Sequence, residues 1–226
     1  MKTINNLVDL LIYTIEDLYA AEMQMQKALP PIIEKAHHTS LKNALQHHLQ
    51  LTEEQKDRLQ KVLHLLNEKI QSGITAQFSK EHQSKGMSGL IEELNEVINS
   101  NLAADVTDAA IIASVQKMEH YEISTYGTAL AFAKQIHLHK VETLLEETLN
   151  EEYDADDLLT SLATAALNKD ALPVGLKIEE KTKETNEDDT NNRPAKVSIS
   201  ERDISSPGGR AGSSHRGYGS GESRGH

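Results

Sequence analysis

The sequence predicts an all-α protein: a bundle of four long helices with one long crossover, a short accessory helix and a disordered C-terminal tail. Three observations predict it. No proline lies between Pro31 and Pro173. Apolar residues recur every three or four positions through that stretch, among abundant Ala, Leu, Glu, Lys and Gln. Nothing alternates with period two over a useful length, so no sheet is expected.

The first helix carries the stripe Leu7, Leu11, Ile15, Leu18, Glu22, Met25, Leu29, Ile32, with Pro30 and Pro31 expected to kink or break it near its end. Thr39-Ser40 is a suitable N-cap for the second, whose stripe reads Leu41, Leu45, His48, Thr52, Gln55, Leu59, Val62, Leu66. About thirty residues at 1.5 Å each give a rod of roughly 45 Å. A polar linking region follows, then a short helix over 90–99, together too long for a hairpin turn. The third long helix reads Ala109, Ala113, Gln116, Glu119, Ile123, Tyr126, Leu130, Ala133. His137-Leu138-His139 leaves room only for a tight turn before the fourth, with stripe Val141, Leu144, Thr148, Glu151, Ala155, Leu158, Leu162, Ala165. Short, long and short connections in that order are those of a ferritin-like bundle.

Composition sets the boundaries. The chain has 226 residues and no cysteine, which excludes disulfides, thiolate metal sites and a thiol nucleophile. All but four of the twelve glycines (Gly73, Gly86, Gly89, Gly127) lie beyond residue 168. The segment 169–226 is charge-neutral, so the whole formal charge of -12 falls on 1–168, the expected bundle. An acidic bundle is a poor phosphate-binding surface, so no nucleic acid is expected there. The tail is polar over 177–203 and Gly/Ser-rich with three Arg over 205–226, too poor in apolar groups to offset ordering entropy, and disorder is expected from about 175. Arg-Gly runs with a Tyr also suit weak RNA or partner binding, and the tail's partner is left unassigned. No apolar run reaches the roughly 20 residues of a membrane span, and no signal-peptide pattern opens the chain. A cytoplasmic location fits both.

Polar residues interrupt each stripe near mid-height, where a bundle should be driest: Glu22, then His48, Thr52 and Gln55, then Glu119 with Glu122 on an adjoining edge, then Thr148 and Glu151 with Glu147 a turn before. Ionised carboxylates facing one another in an apolar interior are strongly disfavoured. A pair of divalent cations bridged by carboxylates resolves this, as in dinuclear iron and manganese bundles. Oxygen and imidazole donors without sulfur suit those metals. The candidate ligands are Glu22, Glu119, Glu122 and Glu151, with Glu147 and His48. A register error of one residue turns a side chain by about 100°, so Glu147, Glu152 and Asp154 fit solvent and site equally, and His48 reads equally as ligand and as core histidine. The Glu-x-x-His pairs usual on the second and fourth helices of such sites are absent.

Leu18-Tyr19-Ala20-Ala21-Glu22 through Lys27-Ala28-Leu29-Pro30, His48-Leu49 with Arg58-Leu59, the distinctive Glu119-His120-Tyr121-Glu122-Ile123 with Tyr126-Gly127-Thr128, and Leu144 through Leu149 with Glu151-Glu152 together resemble a bacterial family: the ferritin-like, stress-induced proteins of the YciE/YciF type. The likeness spans about 4–166. It implies a ferritin-like bundle with a dinuclear metal site, often a homodimer, acting in stress responses, and it supports the same glutamates. Relatives look acidic straight after the His-Leu of the second helix, where this chain has Gln50-Leu51. The resulting expectation is a dinuclear iron or manganese protein handling oxygen or peroxide; the alternative is a non-catalytic helical stress or scaffold protein with a degenerate site.

Overall fold

Four long helices and one short one make up most of residues 4–69, 78, 82–173 and 176, which the computed structural model describes. They are α1 (Leu7–Lys35), α2 (Thr39–Lys69), α3 (Lys85–Ile98), α4 (Ala104–Gln135) and α5 (His139–Leu162). A π-helical turn (Ala163–Leu167) and a last short helix, α6 (Asn168–Asp170), follow. No strand occurs among the described residues. The disorder expected from about 175 and most of the polar linking region lie outside the described residues.

Local chemistry explains the helix ends. The Asn6 side chain caps α1 by accepting from the Val8 and Asp9 N–H groups. Pro30 and Pro31 do not break α1, which continues to Lys35. Both prolines are exposed, so the carbonyls they leave without a helical donor face water. At the α1–α2 corner the buried carboxylate of Asp108 accepts from the His37 and His38 N–H groups at 2.7 and 2.8 Å. The start of α2 is capped one residue earlier than expected, by the His38 ring, whose Nδ1 accepts from the Ser40 N–H. The short helix α3 begins at Lys85, about a turn and a half before the expected start, behind the N-cap Ser84. At the α4–α5 corner His137 takes a φ of 56°, a left-handed residue that reverses the chain within three residues.

The packing follows from these corners. The start of α4 meets the end of α1 through Asp108, and Tyr126 far along α4 meets Glu22 in the middle of α1, so α1 and α4 are antiparallel. Arg58 reaches Glu147 while Gln55 reaches Glu151 and Glu152, which makes α2 and α5 antiparallel too. Helices α2 and α4 are therefore parallel and diagonal, and α3, which lies between them in sequence, packs against α1 and α4. Helix α3 packs Met87, Leu94 and Ile98 into the core. It lies so close to α4 that a Cβ on Gly86 would stand 2.5 Å from Cε2 of Tyr121.

The apolar core comes in two parts. One gathers Met25, Leu29, Leu41, Leu45, Ile111, Val115 and Leu159 with the α3 residues. The other gathers Leu11, Ile15, Leu18, Leu59, Val62, Leu66, Ala133 and Leu145. The polar positions of the four stripes form a layer between them.

Candidate metal centre

Each long helix delivers a side chain to this layer from its buried stripe. Glu22 comes from α1, His48, Thr52 and Gln55 from α2, Glu119 and Glu122 from α4, and Thr148 and Glu152 from α5; all are at most 5% exposed. One ligand atom from each of His48, Glu119, Glu122 and Glu152 lies within 4.8 Å of the others, so this group could hold a metal ion. Glu22 joins them from the facing helix: its carboxyl raises the pKa of both Glu119 and Glu122.

Six of these side chains share a defect. With the carboxyls ionised, both oxygens of Glu119 and of Glu122, Oε2 of Glu22 and of Glu152, Oε1 of Gln55 and the ring nitrogens of His48 are buried without a hydrogen-bond partner; only a proton shared between Glu119 and Glu152 would pair two of them. His48 Nε2 lies 3.3 Å from Glu119 Oε1 but without hydrogen-bonding alignment. A buried orphan of this kind typically costs about 1–3 kcal/mol, more when charged, and folded proteins satisfy nearly all such groups. The donor set fits a cation, which would satisfy these atoms together.

The protonation equilibria report the same strain. Burial, then neighbouring carboxyls, pushes Glu22, Glu119 and Glu122 well above the usual carboxylate range. Burial, with the Glu151 charge, lifts Glu152 to about 7, against the hydrogen bonds from the Glu119 carboxyl and from Gln55 and the Arg58 charge, which pull it back. Burial, with a smaller contribution from His47, lowers His48 to about 4, which keeps its imidazole neutral as ligation requires. Tyr126 donates to Glu22 Oε1 at 2.6 Å, and Gln55 Nε2 donates to Glu152 Oε1 at 2.5 Å. These two bonds hold the glutamates with their other oxygens turned into the layer.

Two of the six expected ligands are elsewhere. Glu151 faces Arg58, which grips it with two 2.8 Å hydrogen bonds, and Glu147 lies 3.2 Å from the same guanidinium and is more than half exposed. The correction is one of register. The buried stripe of α5 runs Val141, Leu145, Thr148, Glu152, Leu159, with Ala163 just beyond the helix, a spacing of sevens, while Leu158 is 43% exposed and Ala165 lies outside the core. A stripe drawn through Leu144, Glu151 and Leu158 is turned by one residue. Glu152 therefore takes the inner position, Glu22, Glu119 and His48 stand where the stripes put them, and Glu122, expected on an adjoining edge of α4, is buried beside Glu119. Arg58 is the residue that the pattern hid. It sits beside Leu59 of the α2 stripe, and its value as a buried counter-charge depends on glutamates almost ninety residues away. Gln50 is exposed and outside the layer, so an acidic residue there would not reach the centre; Leu51 lines a cavity that leads to it.

Residues 6–172 match the family described as a domain of unknown function, DUF892. The chain belongs to that family. Protein YciF of Escherichia coli (strain K12) is 41% identical to this DUF892 chain over 171 residues, 76% of the chain and 96% of YciF. The crystal structure of the E. coli stress protein YciF matches with a TM-score of 0.66 at 37% identity, covering 74% of this chain and 99% of that one. YcfI of Rhodopseudomonas palustris, described as a candidate structural protein, matches with a TM-score of 0.64 at 35% identity over 71% of this chain and 96% of its own. The DUF892 match takes in all five long and short helices and every residue of the polar layer. No described helix is long and apolar enough to cross a membrane.

Proposed function

We propose that this chain is a ferritin-like carboxylate protein that binds iron or manganese in its polar layer, holds two cations, and meets oxygen or peroxide there as part of a stress response. Glu22, Glu119, Glu122 and Glu152 would supply the oxygens and His48 the imidazole. The observation that carries this reading is the set of orphaned, fully buried carboxyl oxygens aimed at one another from three helices. When bound, such a metal pair supplies redox chemistry at open coordination positions. The protein's own part is to orient and to insulate. Tyr126 and Gln55 fix two of the glutamates, Arg58 draws Glu151 away from the layer, and the two apolar halves exclude bulk water above and below. The YciF match supports the stress-response assignment, because YciF is a stress protein.

The test is metal analysis of protein reconstituted with iron(II) or manganese(II), with Glu119→Gln and Glu152→Gln as site variants and Glu151→Gln as control. The reading expects near-stoichiometric metal in the wild type and the control, and its loss in the two site variants. Substoichiometric metal that neither site variant changes overturns it. The alternative is a non-catalytic helical protein with a degenerate site. One observation favours it: burial pushes the carboxyls of Glu22, Glu119 and Glu122 well above the usual carboxylate range, which favours their neutral forms without a cation. On that reading chelator leaves the melting temperature unchanged.

A further inference from the structure

Between α2, α4 and α5 a cavity of about 240 Å³ leads from the surface to the polar layer. Most of its wall is alkyl, from Ala44, Leu45, Leu51, Val115, Ala155 and Leu159, and the exposed His47 adds an imidazole to the lining. At its inner end stand His48 and Glu119, buried and without hydrogen-bond partners. At its outer edge are the carboxylates of Glu151 and of the exposed Asp154.

We propose that this cavity is a binding site for a small, neutral, mostly apolar organic molecule carrying one hydroxyl-type group, which it seats against His48 and Glu119. The inference names the substrate class of the centre described above and rests on that reading for its catalytic meaning, though not for binding itself. Size fixes the upper bound. An apolar cavity of about 150 Å³ is large enough for benzene, and each liquid water takes about 30 Å³. The space here admits a single ring or a chain of similar bulk with one polar substituent, and excludes a nucleotide, a sugar chain or a peptide. Wall chemistry fixes the class. Water gains little beside alkyl walls, so an apolar body displaces it favourably. The orphaned atoms at the inner end give a lone hydroxyl its partners. Charge fixes the exclusion. An anion would enter between the carboxylates of Asp154 and Glu151, with the exposed His47 beside them, and like-charge juxtaposition at that mouth disfavours it.

Benzyl alcohol and benzoate test this, being close in size and different in charge. Each is titrated into the metal-free full-length protein, before any manganese(II) is added, while the methyl signals of Leu51 and Leu159 and the His48 ring signals are followed by NMR. The proposal expects saturable shifts with benzyl alcohol, with a Kd of about 1 mM, and binding of benzoate weaker by more than about tenfold. Ala155→Phe, which fills the cavity from α5, should abolish the shifts, and Ala44→Phe does the same from α2 should the first variant not fold. Absence of saturable shifts, equal binding of benzoate, or binding unchanged in a folded cavity-filling variant each overturns it. Manganese content, measured on the same samples once manganese(II) has been added, separates the two readings. Metal without benzyl alcohol binding defeats only the cavity, and benzyl alcohol binding without metal defeats only the centre.

Discussion

Replacing Glu152 by Gln should have opposite effects on the stability of the metal-free and the metal-loaded protein. Glu152 is fully buried, one of its oxygens accepts from Gln55, and the other has no partner. The amide introduced by Glu152→Gln would keep the bond from Gln55 and present its N–H₂ to the orphaned oxygens of Glu119 or Glu122. The substitution would also remove one of four mutually repelling buried carboxyls. The metal-free variant at pH 8 should therefore melt higher than the wild type. With metal the order reverses. At a free manganese(II) concentration of 100 times Kd, mass action stabilises the wild type by about 2.7 kcal/mol. For a domain of this size that is roughly 5–10 °C in Tm. Loss of a directly ligating carboxylate should weaken binding at least as much as loss of a supporting hydrogen bond, which reaches about 100-fold. At the same metal concentration the variant then gains only about 0.4 kcal/mol, under about 2 °C. Glu151→Gln should retain the wild-type metal shift, because Glu151 spends its carboxylate on Arg58. Calorimetric melts with and without manganese(II) decide this. A metal shift that disappears in Glu151→Gln and persists in Glu152→Gln would refute the placement of the centre.

The metal-free protein should lose stability as pH rises from about 4.5 through about 7. The folded state keeps Glu152 protonated up to about 7 whereas the unfolded chain releases that proton near 4.5, so this contribution is complete below the unfolded value and lost above the folded one. Each pH unit across that window removes ~1.4 kcal/mol per extra proton held, and urea midpoints at pH 5 and pH 8 measure it. Metal affinity should run the other way, rising over the same window because ligation releases those protons. Tyr126→Phe removes the 2.6 Å hydrogen bond that Glu22 accepts and should destabilise the metal-free bundle by about 1–3 kcal/mol, read from the urea midpoint. Gly86→Ala puts a Cβ 2.5 Å from the Tyr121 ring and should destabilise by about 1–3 kcal/mol, with hydrogen exchange accelerating first in α3.

The stripes of α1 and α2 were legible residue by residue, because a run such as Leu41, Leu45, His48, Thr52, Gln55, Leu59 is buried at every position. The α4 and α5 stripes were legible only in part. Helix α4 touches α1, α3 and α5 and, near its start, the π-helical turn and α6, so it buries residues around more of its circumference, including Ile111, Ile112, Ser114 and Val115, and a single line through it misses half of them. On α5 the acidic run Glu146-Glu147 and Glu151-Glu152 offers two adjacent candidates at each turn, and composition gives no reason to prefer one. The deciding residue is Arg58. Arg58 is 8% exposed, its guanidinium needs a carboxylate within reach, and Glu151 is the one that satisfies it with two bonds. Once Glu151 is taken, Glu152 is left facing the layer. That choice depends on a contact between α2 and α5, which periodicity within either helix does not contain.

The division of the core gives the polar layer a physical logic. Four buried carboxyls at one height are a destabilising arrangement, and a bundle that carries it must gather its stability elsewhere. Here the Met25–Leu45–Val115 half and the Ile15–Leu59–Leu145 half each close around all four long helices, one on either side of the layer. The Asp108 clamp at the α1–α2 corner and the Tyr121–Asp17–Ser84 contacts beside α3 then fix the helices against sliding. Glu22, Glu119 and Glu122 sit within a turn of buried apolar residues, Leu18 and Met25 on α1 and Val115, Met118 and Tyr126 on α4, which hold them inside the bundle and away from water that would relieve their charge. Only a proton or a cation can do so. If the layer binds metal as proposed, proton and metal are alternative occupants of one site, which is why a Glu152→Gln variant and a rise in pH should move the metal-free and metal-loaded forms in opposite directions.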